Sequence, residues 1–209
     1  VQGSREDTAS AVAGAAANIY YASHSWNPYF FHGTKTFAYE VVEQLDWNVP
    51  DTVILPAGNG TLLLGACIGF TELKDRGITG KMPKIIGVQS LECAPVYYGY
   101  INGMQVPAKI VPGKTAAEGI AIAEPLRGWQ MIEAVRSSGG EFLAVSESEI
   151  KDSFYLMAGS GYFIEPTSAA VIAGARKYLS GMEKGRREVI VTVFTGHGLK
   201  AAEKIAAWH

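Results

Sequence analysis

Cysteine is scarce in this chain: Cys67 and Cys93 are the only two in 209 residues. Two cysteines without metal-ligand spacing exclude a disulfide scaffold and a cysteine-based metal centre. They predict buried free thiols in a reducing compartment. Charge of one sign is lacking as well, since 18 Lys+Arg stand against 20 Asp+Glu for a formal net charge of -2. No Lys/Arg cluster forms, which argues against a DNA- or RNA-binding module. Unbroken apolar runs are missing too. Thr8–Thr34 and Thr52–Thr71 carry no Asp, Glu, Lys or Arg. The first is interrupted by Asn18, Ser23, His24, Asn27 and Pro28, the second by Pro56, Gly58, Asn59 and Gly60. Neither therefore reads as a membrane span, and a soluble, cytoplasmic chain is expected. The start at Val1 shows no initiator Met and no signal-peptide pattern, and residues 1–10 read like the interior of a longer protein.

What is present is a core-rich globular composition, with 48% hydrophobic and 18% charged residues. Apolar periodicity predicts helices over 6–16, 34–45, 61–76, 93–103, 125–137, 167–179 and 199–208. Ser146-x-x-Glu149 is a capping box that opens a further helix to about residue 158. Short apolar runs predict strands at 19–22, 52–55, 84–89, 141–145 and 188–194. Residues 23–33 read as a loop dense in aromatics, and 107–114 as irregular. The strands are continuous apolar runs and alternate with helices, which predicts an α/β fold: a parallel twisted sheet with helices on both faces. No linker or repeat divides residues 1–209, so one domain is expected.

In such a sheet, ligands bind beyond the carboxyl ends of the strands. Two strand exits stand out. Pro56-Ala57-Gly58-Asn59-Gly60-Thr61-Leu62 runs from a strand through glycines into a helix. Glycines let backbone N–H groups converge and the helix N-terminus adds partial positive charge, so this is either an anion cradle suited to phosphate or a plain strand–helix turn. No G-K-[ST] follows, which excludes a nucleotide-triphosphate loop. The second exit, Thr195-Gly196-His197-Gly198-Leu199-Lys200, presents a hydroxyl at Thr195. Its His197 is either an acid–base group or a capping residue. Glu118 either approaches a ligand or is solvated. Ser90–Cys93 either lines a pocket or packs. Asn27 either reaches a substrate or forms a turn. Trp26, Tyr29, Phe30 and Phe31 read by default as core.

Taken together the loops resemble those of threonine synthases and the wider fold-type-II pyridoxal-phosphate (PLP) enzymes. Pro56–Thr61 matches the family's P-x-G-N-G/A-x phosphate loop, and Thr195–Lys200 its closing T-G-H-G-L-K. Asn27-Pro28-Tyr29 with Gly33-Thr34-Lys35-Thr36 matches N-P-Y followed by G-x-K-T, and Glu165–Ala170 matches E-P-x-S-A-A. The resemblance implies that Gly58, Asn59, Gly60, Thr61 and Leu62 hold the cofactor phosphate and that Thr195 faces the pyridine nitrogen. A neutral hydroxyl there implies a largely unprotonated ring, suited to elimination or replacement. It further implies a small amino-acid substrate, Asn27 and Phe30 as substrate neighbours, no metal, and a homodimer for the full-length protein.

Two departures qualify the match. None of the chain's lysines sits in the family's S-x-K-D-R-like context. The Schiff-base lysine is therefore expected upstream, in a longer enzyme of which this chain is the C-terminal part, and the chain alone is expected to be inactive. Phe30 also stands where threonine synthases usually carry the arginine of N-P-Y-R, and an aromatic ring supplies neither charge nor a bidentate fork. His24, His32 or an upstream residue would have to substitute. The implied reaction is conversion of O-phosphohomoserine to threonine and phosphate. The alternatives are a dehydratase or other β/γ-replacement enzyme, and a catalytically inactive binding or regulatory domain on the same fold.

Overall fold

The apolar runs line up as one parallel sheet of β1 (Thr52–Pro56), β2 (Lys84–Ser90), β3 (Glu141–Val145) and β4 (Ile190–Thr192), in the order β3-β2-β1-β4. The computed structural model describes residue 2 and residues 5–208. The helices are α1 (Arg5–Ala15), α2 (Tyr29–Thr34), α3 (Thr36–Gln44), α4 (Thr61–Asp75), α5 (Pro95–Ile101), α6 (Gly128–Ser137), α7 (Glu147–Gly159), α8 (Pro166–Gly181) and α9 (Ala202–Ala206). Short 3-10 turns occupy Glu118–Ile120 and Gly198–Ala201.

The strands read as continuous apolar runs because both faces are covered. Val53, Leu55, Ile85 and Phe142 face a core shared with α3, α4 and α6. Ile54, Ile86, Val88 and Val145 face the opposite core, shared with α7, α8 and α9. The α7 capping box forms as the sequence predicts: the Ser146 hydroxyl accepts from the Glu149 amide and the Glu149 carboxylate accepts from the Ser146 amide. Both thiols are free and buried, and burial pushes the Cys67 thiol up to about 12, so it stays protonated and inert at neutral pH. No helix among the described residues is long and apolar enough to cross a membrane.

Three expectations are corrected. Residues 19–22 form no strand, and Ile19 and Tyr20 are exposed. An apolar run with no sheet edge beside it can neither pair its backbone nor bury its side chains. The 23–33 loop instead winds into α2 from Tyr29. Of its aromatics only Phe31 is core, while Trp26, Tyr29 and Phe30 are exposed. The last strand is three residues rather than seven, because β4 is an edge strand paired with β1 alone, from Thr52↔Ile190 to Ile54↔Thr192.

Candidate functional site

The chain winds outward from β1 through β2 to β3, then returns across the sheet to place β4 on the other side of β1. That reversal puts a topological switch point at the carboxyl ends of β1 and β4, where open α/β sheets bind ligands. Both glycine-rich exits open there. Pro56, Gly58, Asn59, Gly60, Thr61, Leu62 and Thr195 line a single cavity of about 210 Å³, together with His24, Gly119, Ile120, Glu165 and Thr167.

The cradle end is built from backbone. Beyond β1, the Ala57 amide donates to the Val88 carbonyl at 2.9 Å, and the buried Gln89 side chain donates to the Ala57 carbonyl at 2.8 Å. Gln89 Oε1 also accepts from the Val96 and Tyr97 amides at the head of α5. Gly60 caps α4 at φ +85° with no side-chain cap, which leaves the first-turn N–H groups to an anion or water. The Gly119 backbone leans on Gly58 so closely that a Cβ there would lie 2.5 Å from the Gly119 carbonyl oxygen. The Gly119 amide is held in turn by the Thr167 hydroxyl at 3.2 Å. Convergent donors, a left-handed glycine and a wall that admits no side chain suit a phosphate group.

The opposite end is built from side chains. The Thr195 amide donates to Ser168 Oγ at 2.8 Å, and the Thr195 hydroxyl donates to Glu165 Oε1 at 2.7 Å. Lys200 Nζ lies 3.2 Å from Glu165 Oε2. Gly196 is obligatory for this contact, since a Cβ there would meet the Glu165 carboxylate at 2.6 Å.

The structure thus gathers the predicted cradle residues and Thr195, and leaves two predicted residues aside. Asn27 Oδ1 accepts from the Tyr29 amide at 2.9 Å, the turn that starts α2. Phe30 does not line the cavity but packs its ring 5.5 Å from that of His24, which does. His32 faces a separate, larger groove of about 590 Å³ between α2, α4 and α6 that shares no residue with the switch-point cavity. His197 is a cap: its Nδ1 accepts from the Leu199 amide. Ser90 donates to Glu147, Cys93 is buried, and Glu118 pairs with Lys204 of α9, so none of these faces the ligand space. Lys35 binds Glu72 of α4 at 2.8 Å. That hydrogen bond raises the Lys35 ammonium, and Lys35 together with Tyr39 holds Glu72 below the usual carboxylate range. No lysine lines the cavity among the described residues, and no His/Cys/Asp/Glu cluster among them would hold a metal ion. Sequence reasoning missed Gly119, Glu165 and Thr167 as cavity walls. Glu165 and Thr167 lie in a quoted motif, but only the fold turns Glu165 toward Thr195 and Thr167 toward Gly119.

A doubly wound α/β sheet with a glycine-rich turn and a hydroxyl lining one cavity at its switch point defines the class: an α/β fold of the kind that binds ligands at that point. Residues 1–196 match the family described as pyridoxal-phosphate dependent enzyme, and the chain belongs to that family. It is 38% identical over 191 residues to a threonine synthase of Methanocaldococcus jannaschii, which spans 89% of this chain and 46% of that protein. It is 35% identical to a threonine synthase of Methanosarcina acetivorans, over 88% of this chain and 46% of that protein. The chain therefore spans about half the length of these curated relatives. The fold is also that of threonine deaminase isoform 2 from Solanum lycopersicum, at TM-score 0.68 and 23% identity over 87% of this chain and 50% of that one. Maize serine racemase matches at TM-score 0.71 and 16% identity, over 100% of this chain and 62% of that one.

Proposed function

We propose that this chain is one α/β domain, the C-terminal part of a PLP-dependent lyase that acts on a small amino acid, with threonine synthesis from O-phosphohomoserine as the leading reaction. The observation that carries this reading is the meeting of the Gly58–Leu62 cradle and Thr195 in one cavity at the switch point. When bound, PLP supplies the electron sink. The backbone of Gly58–Leu62 would hold its phosphate, and Thr195 would meet the ring nitrogen. With no lysine lining the cavity among the described residues, the chain by itself turns nothing over. Trapping of PLP by borohydride on one specific lysine, with activity on an amino acid, overturns that statement. The full-length protein is proposed to be a cytoplasmic homodimer.

A second reading is a dehydratase or other β/γ-replacement enzyme. It is favoured by Phe30, whose uncharged ring packs on His24 at the cavity wall where a substrate phosphate would want a cation. Kinetics of the full-length protein decide between them. A KM for O-phosphohomoserine no better than for serine or threonine, improved by Phe30→Arg, supports the replacement reading. Efficient O-phosphohomoserine turnover by the unmodified protein supports threonine synthesis. The cradle itself is tested by titrating phosphate against the amide shifts of residues 58–62. Selective movement at millimolar anion is expected, and its absence while other amides move defeats the assignment.

A further inference from the structure

The loop that brings His24 to the cavity has little of its own to stand on. Residues 16–28 run from α1 to α2 in turns and bends alone, and Ile19 and Tyr20 are exposed. Locally the loop is well formed. The buried Ser23 hydroxyl accepts from the Ser25 amide at 3.1 Å and the Trp26 amide at 3.4 Å, and the Asn27 amide donates to the Ser23 carbonyl at 2.9 Å. Such bonds shape a turn without fastening it to the rest of the molecule. Among the described residues, all hydrogen bonds of residues 16–28 but two reach no further than seven positions along the chain. Those two come from Arg127 at the head of α6, 102 and 101 positions away: Nε donates to the Ser25 carbonyl at 2.8 Å and Nη2 to the Trp26 carbonyl at 3.0 Å. The guanidinium is itself held. Its Nη1 donates to Gln130 at 3.1 Å, and it lies 4.7 Å from the ring centroid of Phe31, the core residue of α2. A planar fork spans two successive carbonyls, which a lysine ammonium does not, and the aromatic face adds a cation–π attraction.

We infer that Arg127 is a positioning residue for the ligand space: it clamps the Ser23–Asn27 turn so that His24 stays in the cavity wall beside the cradle. This rests on the cofactor reading above. Arg127 lines the larger groove and not the switch-point cavity, so it acts through Ser25 and Trp26 without touching a ligand there. A turn with only local bonds visits several placements, and a ligand's affinity falls by the fraction of time its wall is absent.

The test uses the chain with two probes. Inorganic phosphate reads the cradle alone, through the amides of residues 58–62. The 4-deoxy analogue of PLP, which has the phosphate and ring but no aldehyde to react with surface lysines, reads cradle and wall together, through those amides and the ring Hε1 of His24. Both signals are expected to move with the analogue in the unmodified chain. Arg127→Met keeps the apolar stem over Phe31 and removes every donor. It is expected to weaken the analogue about tenfold, as for a wall in place a tenth of the time, and to abolish the His24 movement. Amides 58–62 should still follow phosphate with unchanged affinity. Arg127→Lys should recover part of the analogue affinity, since an ammonium reaches one carbonyl but not both. Unchanged analogue affinity and His24 movement in Arg127→Met overturn the inference. Loss of phosphate and analogue binding alike also overturns it, because the residue would then be merely structural. Where Arg127→Met does not fold, the unmodified chain decides. Its Arg127 Nε–H should exchange with solvent at least about tenfold more slowly than that of the exposed Arg76, and equal exchange rules out the clamp. Amides 58–62 that ignore phosphate in the unmodified chain overturn the cradle reading, and the inference with it, whatever the exchange at Arg127.

Discussion

The two strand exits carry the same pattern, strand then glycines then helix, yet they are built in opposite ways. The β1 exit follows a central strand buried from Thr52 to Leu55, and its shape is set by main chain: Gly60 at φ +85° and Gly58 against the Gly119 carbonyl. The β4 exit follows a three-residue edge strand of intermediate burial and is held by Ser168, Glu165 and a histidine cap. A cofactor with a phosphate at one end and a ring at the other would meet rigid backbone at the first exit and adjustable side-chain chemistry at the second. Phosphate recognition needs fixed dipoles, which buried main chain supplies. Ring electronics are tuned by hydrogen-bond polarity, which side chains can vary.

The largest effect that would break this contrast is at Gly60. A valine there places a β-branched residue at positive φ, with a Cβ 2.7 Å from the Met131 sulfur. Such strain costs about 1–3 kcal/mol, which a fold of ordinary stability survives. Gly60→Val should lose the phosphate-induced movement of amides 58–62 while far-UV circular dichroism stays native. At the other exit, Ser168→Ala leaves the Thr195 amide without its acceptor and should cost about 1–3 kcal/mol in denaturant unfolding. Phosphate affinity at residues 58–62 should be unchanged, because no hydrogen bond of Ser168 reaches the cradle. A large loss of phosphate binding in Ser168→Ala would show that the two ends are not independent.

Hydrogen exchange should sharpen the comparison next. The amides of Ile54 and Leu55 are expected to exchange at least about tenfold more slowly than those of Val191 and Thr192, since an edge strand opens locally before a central one. The smallest effect concerns what fastens β4. The Asp51 carboxylate accepts from the Val189 amide at 2.9 Å and pairs with Lys81. The Lys81 hydrogen bond, then the Val189 amide, hold its carboxyl below the usual range. A depressed carboxyl contributes stability above its unfolded value of about 3.9, and this is lost as pH falls through the lower folded value. Acid titration should therefore loosen the start of β4 below about pH 4, by less than about 1 kcal/mol for so exposed a pair. Asp51→Asn should flatten that dependence, and an unchanged acid profile would mean that β1 pairing alone fastens the strand.

The sequence by itself determined the elements whose signals are local. The buried strands read at 52–55, 84–89 and 141–145, the helices between them, the Ser146–Glu149 capping box and the glycine turn at 58–60 all follow from periodicity, capping chemistry and glycine placement, within a few residues of their observed bounds. Only the tertiary structure decided the rest, because it depends on what lies alongside. Ile19–Ala22 has a strand's composition but no neighbouring edge, and β4 is cut to three residues by having one partner. Of the two histidines able to approach a substrate, the fold places His24 in the cavity wall and His32 in another groove. Thr195 is legible as a hydroxyl at a strand exit, but the direction of its hydrogen is fixed by Glu165, thirty residues away in sequence and 2.7 Å away in space.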